Sequence, residues 1–161
     1  MKYQTIKGTF DRLPEDAPKW NFVLEHARTI LERFGAGEIH TPVFEDVGVI
    51  SKPVGESSDI VRKEMYSFTD RGGRNLVLRP EATAPMVRAY LEHGMGSRPT
   101  PVKFWTFEPM FRGEKPQRGR ERQFHQVGFE IIGLADPITD AETIDAGYQI
   151  RSEERRVGKE C

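Results

Sequence analysis

The sequence predicts an α+β fold, an antiparallel sheet flanked by helices. Three observations carry that expectation: a strong amphipathic helix pattern over 14–35, a hairpin built around the turn Asp70 to Arg74, and two longer runs of β-forming residues at 102–107 and 123–132. The chain has 161 residues, of which 37% are hydrophobic and 10% aromatic, enough to bury one core. Charged residues make up 30% and the mean hydropathy is −0.60, so the surface is well solvated and wholesale disorder is excluded.

In the first helix Asp16 can cap and Pro18 suits the first turn, while Val23, Leu24, Ala27, Ile30, Leu31 and Phe34 recur at helical spacing until Gly35 ends it. Residues 38–45 follow as a strand in which Pro42 cannot donate a ladder hydrogen bond and must sit at an edge or a bulge. Residues 47–62 carry Pro53, Gly55 and the Ser57-Ser58-Asp59 cluster, and read as mostly loop. Two strands, Met65 to Phe68 and Asn75 to Leu78, flank the hairpin turn. A helix with the apolar face Ala84, Val87 and Leu91 begins after Pro80 and closes at Gly94. Thr139-Asp140-Ala141-Glu142 matches a capping box and starts a last helix towards Ile150, after which the tail 151–161, with seven charged residues, is expected to fray.

No apolar run reaches the roughly 18 residues of a membrane span, and the first residues show no signal-peptide core, so a soluble, cytoplasmic protein with no membrane partner is expected. Cys161, the single cysteine, has no thiol partner for a disulfide or a Cys-based zinc site, and no metal site is expected. Basic and acidic residues number 24 and 25, which leaves no global electrostatic reason to bind nucleic acid. The exception is local: residues 112–122 hold five basic and two acidic side chains in eleven positions.

That loop sits inside the most informative constellation. Arg112 and Glu114 are two apart, so on a hairpin arm they share a face, and a guanidinium there offers a planar clamp for phosphate. Arg118, Arg120 and Arg122 add positive charge. On the returning strand Phe124, Gln126, Gly128 and Glu130 alternate onto one face: an aromatic plate, an amide, a gap and a carboxylate, a binding floor for a small molecule. Solvated arginines on an exposed hairpin tip, with Phe124 in a core, account for the cluster about as well. A second cluster joins a strand end to a helix start at Leu78-Arg79-Pro80-Glu81-Ala82-Thr83. Glu81 and Thr83 there suit either helix capping or recognition of an ammonium group.

Together with Lys7-Gly8-Thr9-Phe10-Asp11-Arg12-Leu13-Pro14 and the stretch from Gly35 through Pro42-Val43-Phe44-Glu45, these segments resemble the class II aminoacyl-tRNA synthetases and, within them, the histidyl-tRNA synthetases. The resemblance covers about residues 1–150, read as the amino-terminal part of a catalytic domain. It implies that Arg112 is the catalytic residue at the ATP α-phosphate, that Glu114 and Phe124 hold adenine, and that Arg120 reaches the outer phosphates. It further implies that Glu81, Thr83 and Gln126 surround the backbone end of histidine and that Glu130 accepts a hydrogen bond from the imidazole. ATP with Mg²⁺, histidine and tRNA(His) are the implied substrates and partners, and a homodimer through the region around Gly35 to Glu45 is the implied assembly.

Family members continue past the point matched by residue 150 with further substrate-binding segments, so the resemblance implies half an active site and little activity for this chain alone. The tail 151–161 matches nothing in the family and looks like the translation of a sequencing-library adapter. Two other functions fit part of the pattern. One is the synthetase-like regulatory subunit of ATP phosphoribosyltransferase, which has no need of an adenine plate or a phosphate clamp; the other is a basic-loop RNA-binding module, weakened by confinement of the charge to one loop.

Overall fold

The computed structural model describes residues 3–55, 64–113, 115, 117 and 119–157, with the backbone alone at 54 and 153–157. The elements run α1 (Ala17–Arg33), β1 (Gly37–Glu38), β2 (Phe44–Asp46), α2 (Val47–Val54), β3 (Tyr66–Thr69), β4 (Asn75–Leu78), α3 (Thr83–Glu92), β5 (Val102–Phe111), β6 (Gln123–Ile132) and α4 (Pro137–Val157). The α+β class expected from the sequence is present. The described strands form two three-stranded sheets, ordered β1-β5-β6 and β2-β4-β3. The first is not wholly antiparallel: β1 pairs parallel to β5, Gly37 opposite Phe104 and Glu38 opposite Trp105. The long connection between β1 and β5, which carries helices, makes a parallel pairing possible. Among the described residues no helix is long and apolar enough to cross a membrane.

The chain divides into two compact units, one made of Met1–Asp11, His40–His93 and Phe107–Gln126, the other of Arg12–Ile39, Gly94–Thr106 and Val127–Cys161. In the second unit α1 lies against α4 and buries Ala27, Ile30 and Leu31. Asp16 occupies the N-cap position of α1 without a side-chain cap, Pro18 stands in the first turn, and Gly35 leaves the helix at φ +77. Helix α4 starts earlier than the capping box suggests. Asp136 provides the cap: its carboxylate accepts from the Ile138 N–H (2.9 Å) and its carbonyl from the Thr139 hydroxyl (2.6 Å). Glu142 pairs with Lys103, whose ammonium also donates to the Phe34 carbonyl. The helix then continues to Val157 where a frayed tail was expected, because arginine and glutamate are good helix formers even without an apolar stripe.

In the first unit the strand expected over 38–45 is interrupted at Pro42, and only Phe44–Asp46 pairs with β4. The hairpin β3–β4 forms as expected, with Tyr66 opposite Leu78 and Phe68 opposite Leu76. Asp70 closes its turn by accepting from the N–H groups of Gly72 (2.8 Å) and Arg74 (2.9 Å). These bonds, with the Arg74 guanidinium, hold the Asp70 carboxyl below its usual range. The stretch read as loop begins instead as helix α2, capped by the Asp46 carboxylate accepting from the Gly48 N–H at 2.7 Å, with Pro53 tolerated in the last turn. Residues 56–63 of that expected loop lie outside the described set. Ile50 of α2 is fully buried with Val77 and Ala84, and Val47, Val49 and Met65 pack around them.

In α3 the buried side is Ala84, Pro85, Met86 and Ala89, whereas Val87 and Leu91, expected on the core face, are exposed. The opposite face of the β2-β4-β3 sheet is also apolar. By register it carries Phe44, Tyr66 and Phe68, all exposed, with Leu76 and Leu78 between them and Asp46 at its margin.

Candidate functional site

The candidate site grows from the junction where β4 ends and α3 begins, next to the end of β5 and the start of β6. Backbone bonds fix the junction: the Arg79 N–H donates to the Val43 carbonyl and the Phe111 N–H to the Arg79 carbonyl, both at 3.0 Å. One residue on, the Pro80 carbonyl accepts from Nε of Arg112 at 2.9 Å. That bond sets the plane of a guanidinium whose central carbon stands 5.0 Å from the centroid of the Phe124 ring. Arg112 and Phe124, paired in the sequence analysis only as neighbours in a hairpin, are therefore in contact. The Arg112 N–H also donates to the Arg122 carbonyl at 2.9 Å, which closes the base of the 112–122 loop.

That loop is anchored at three described points. The Arg122 N–H donates to the Gly8 carbonyl at 2.7 Å, so the amino-terminal segment clasps it. The Gly113 N–H donates to the Glu64 carbonyl at 2.7 Å, and a Cβ on Gly113 would stand 3.3 Å from that oxygen, so only glycine sits there without displacement. At the tip Gln117 and Arg120 exchange backbone bonds across a turn in which Gly119 has φ +79. Arg120 is exposed. Glu114 and Arg118 lie outside the described residues.

Glu81 is half-buried at the start of α3, and its two carboxylate oxygens accept from the N–H groups of Thr83 (2.6 Å) and Ala84 (2.9 Å). This is the capping arrangement, and it holds the carboxylate rigidly beside the exposed Thr83. Gln126 is half-buried on β6. Its Oε1 is sequestered from solvent with no hydrogen-bond partner among the described residues. Next to it the His125 ring lies 5.5 Å from that of Phe107. Glu130, also on β6, belongs to the second unit, where it is half-buried. Among the described residues no group of three or more His, Cys, Asp or Glu could hold a metal ion.

Beneath the junction lies a buried polar network that no local pattern in the sequence announces. Arg79 is completely buried. Its Nη1 donates to the Thr41 carbonyl (2.7 Å), the Thr41 hydroxyl (2.9 Å) and Oε2 of Glu108 (2.5 Å), and its Nε to the Pro109 carbonyl (3.0 Å). Nη2 is buried without a partner among the described residues. Glu108 also accepts from the Thr41 N–H at 3.3 Å and lies 3.2 Å from Nδ1 of His40. Burial alone would raise the Glu108 carboxyl, but the Arg79 guanidinium and these hydrogen bonds outweigh it and hold the group below its ordinary value. The available signal was Glu108 itself, a carboxylate set among Phe107, Pro109, Met110 and Phe111, which needs a cationic partner somewhere in the fold.

A family model described as histidyl-tRNA synthetase matches residues 8–153. The histidine–tRNA ligase of Dehalococcoides mccartyi is 54% identical over 147 residues, which cover 91% of this chain and 35% of that protein. Among solved structures, the apo histidyl-tRNA synthetase of S. aureus superposes with a TM-score of 0.78 at 35% identity, over 94% of this chain and 34% of its own. A protein from Bacillus halodurans described as an ATP phosphoribosyltransferase regulatory subunit/histidyl-tRNA synthetase gives 0.76 at 25% identity, over 93% and 38%. The chain thus spans about a third of the length of the relatives it matches.

Proposed function

The chain belongs to the histidyl-tRNA synthetase family, and from that premise we propose that residues 1–150 are the amino-terminal part of a catalytic domain that activates histidine with ATP and passes it to tRNA(His). The observation that carries this reading is the contact of Arg112 with Phe124, a guanidinium oriented through its Nε and set against an aromatic ring on the neighbouring strand. A phosphate needs the first group and a purine the second.

In the proposed reaction the histidine carboxylate attacks the α-phosphorus and pyrophosphate leaves. Arg112 meets the charge that develops on the α-phosphate oxygens, and because its orientation is set before substrate arrives, little reorganisation is needed at the moment of attack. Phe124 and Glu114 hold adenine, and the exposed Arg120 reaches towards the outer phosphates. The Oε1 of Gln126, without a partner among the described residues, supports an amino-group pocket formed with Glu81 and Thr83, since a buried acceptor gains most from a charged donor. Glu130 takes the imidazole and disfavours aliphatic side chains, which offer it no hydrogen-bond donor. Magnesium finds no protein cage among the described residues. It would enter on the triphosphate as part of the substrate and would share with the arginines the neutralisation of phosphate charge. The exposed aromatic face of the β2-β4-β3 sheet, which begins at Phe44, supports a homodimer through the neighbouring stretch from Gly35 to Glu45.

Histidine-dependent exchange between ATP and pyrophosphate tests the proposal. A full-length protein carrying these residues should catalyse it and lose most of the rate on Arg112→Ala, whereas the 161-residue chain alone should show little exchange. An unchanged rate in Arg112→Ala removes the phosphate role. The likeness to the B. halodurans protein favours a second reading, a regulatory subunit of ATP phosphoribosyltransferase. Co-purification with that enzyme, together with absence of ATP binding, selects it.

A further inference from the structure

Two guanidiniums cross the junction in opposite directions. Arg79, at the end of β4, reaches back to Glu108 and the Pro109 carbonyl of β5, while Arg112, just past β5, reaches forward to the Pro80 carbonyl. Resting on the reading of Arg112 as the phosphate-binding residue, we propose that Arg79, held by Glu108 and Thr41, is a positioning residue that fixes the Pro80 carbonyl and so the aim of the Arg112 guanidinium.

Packing alone does not account for an arginine here. A buried guanidinium–carboxylate pair contributes little net stability compared with apolar side chains of the same volume. What it supplies is direction. The planar fork of Arg79 is tied to Thr41 before β2 and to Glu108 and Pro109 in β5, while its own backbone is tied to Val43 and Phe111. Three chain segments are therefore registered against one another at the residue before Pro80. Glu81, which follows Pro80 and caps α3, is positioned by the same anchorage. Lysine cannot reproduce this, because a compact ammonium on a flexible stem has no planar fork with which to span acceptors on separate segments.

The test follows one proton. In the ¹⁵N-labelled 161-residue chain the Arg112 Nε–H signal is identified by its disappearance in Arg112→Lys. Its hydrogen exchange is then measured in Arg79→Lys and in the milder Thr41→Val, with the Val77 amide in the core of the same unit as the reference. Weakening one net hydrogen bond corresponds to roughly five- to tenfold, so exchange at Arg112 should accelerate by about that factor in Arg79→Lys, and by less in Thr41→Val, relative to Val77. Exchange at Arg112 that is unchanged in both variants, or that only keeps pace with Val77, overturns the proposal. In the full-length protein the same variants should lower kcat for histidine-dependent exchange with ATP KM nearly unchanged; a rise in KM alone would also overturn it. Arg112→Ala without effect on that activity would defeat the functional reading instead, and the proton measurement would still decide whether Arg79 orients Arg112.

Discussion

Replacing Gln126 by methionine should make the protein more stable and a poorer binder of histidine at the same time. The buried Oε1 of Gln126 accepts no hydrogen bond among the described residues, so folding strips water from it without replacement. An unsatisfied buried acceptor of this kind costs about 1–3 kcal/mol. Methionine has nearly the same length and volume and no acceptor to desolvate; it also removes the amide nitrogen, which sets the net gain below the full penalty. The net gain should be about 1–2 kcal/mol, which for a chain of this size corresponds to a rise in Tm of roughly 3–6 °C. Thermal unfolding of the 161-residue chain, followed by circular dichroism, measures it. In the full-length protein the same substitution should weaken histidine binding about tenfold, the equivalent of one lost contact to a charged donor. A Gln126→Met chain that melts at or below the parent temperature would refute the reasoning, because the carbonyl would then have been satisfied all along.

Two further outcomes rest on the geometry and a third on the proposed function. Glu108→Gln leaves the buried Arg79 guanidinium without its counter-charge and should cost about 3–5 kcal/mol near neutral pH. Because the folded-state carboxyl lies below its ordinary value of 4.5, the stability it supplies is fully present above that value and is lost as pH falls through the lowered one. Urea midpoints taken from pH 7 down to 2 should therefore converge between parent and variant, and a constant gap would contradict the assignment. Gly113→Ala places a methyl group 3.3 Å from the Glu64 carbonyl and should destabilise the chain by about 1–3 kcal/mol, read from the urea midpoint; no change would show that the Glu64 segment yields freely. Glu130→Ala in the full-length protein should weaken discrimination for histidine more than adenylation at saturation, and intact histidine affinity would remove the imidazole role.

Local pattern was a good guide wherever local forces decide. The period of Ala27, Ile30 and Leu31, the Asp70 turn and the β-rich run 123–132 appear as read, and the run 102–107 appears as a strand that continues to Phe111. It failed where one strong signal masked another. Pro53 and Gly55 read as breakers and hid the Asp46 cap that starts α2. In α3 the spacing of Val87 and Leu91 pointed to a core face, but Pro85 and Met86 turn the other side inward. Thr139 looked like a cap one turn after Asp136 had already supplied it. The candidate site divides in the same way. Arg112 and Phe124 could be paired because a hairpin joins them, whereas Arg79 and Glu108 meet across 29 positions of chain and no periodicity announces a partner that far away.

The bond from the Arg122 amide to the carbonyl of Gly8 has a practical corollary for anyone expressing this protein. A start codon chosen downstream of that glycine would leave the helices and strands intact on paper while unbuckling the arginine ribbon at its root. If the proposed function holds, trimmed versions that look sound by spectroscopy would handle nucleotide poorly, and the fault would lie in eight missing residues far from it in sequence.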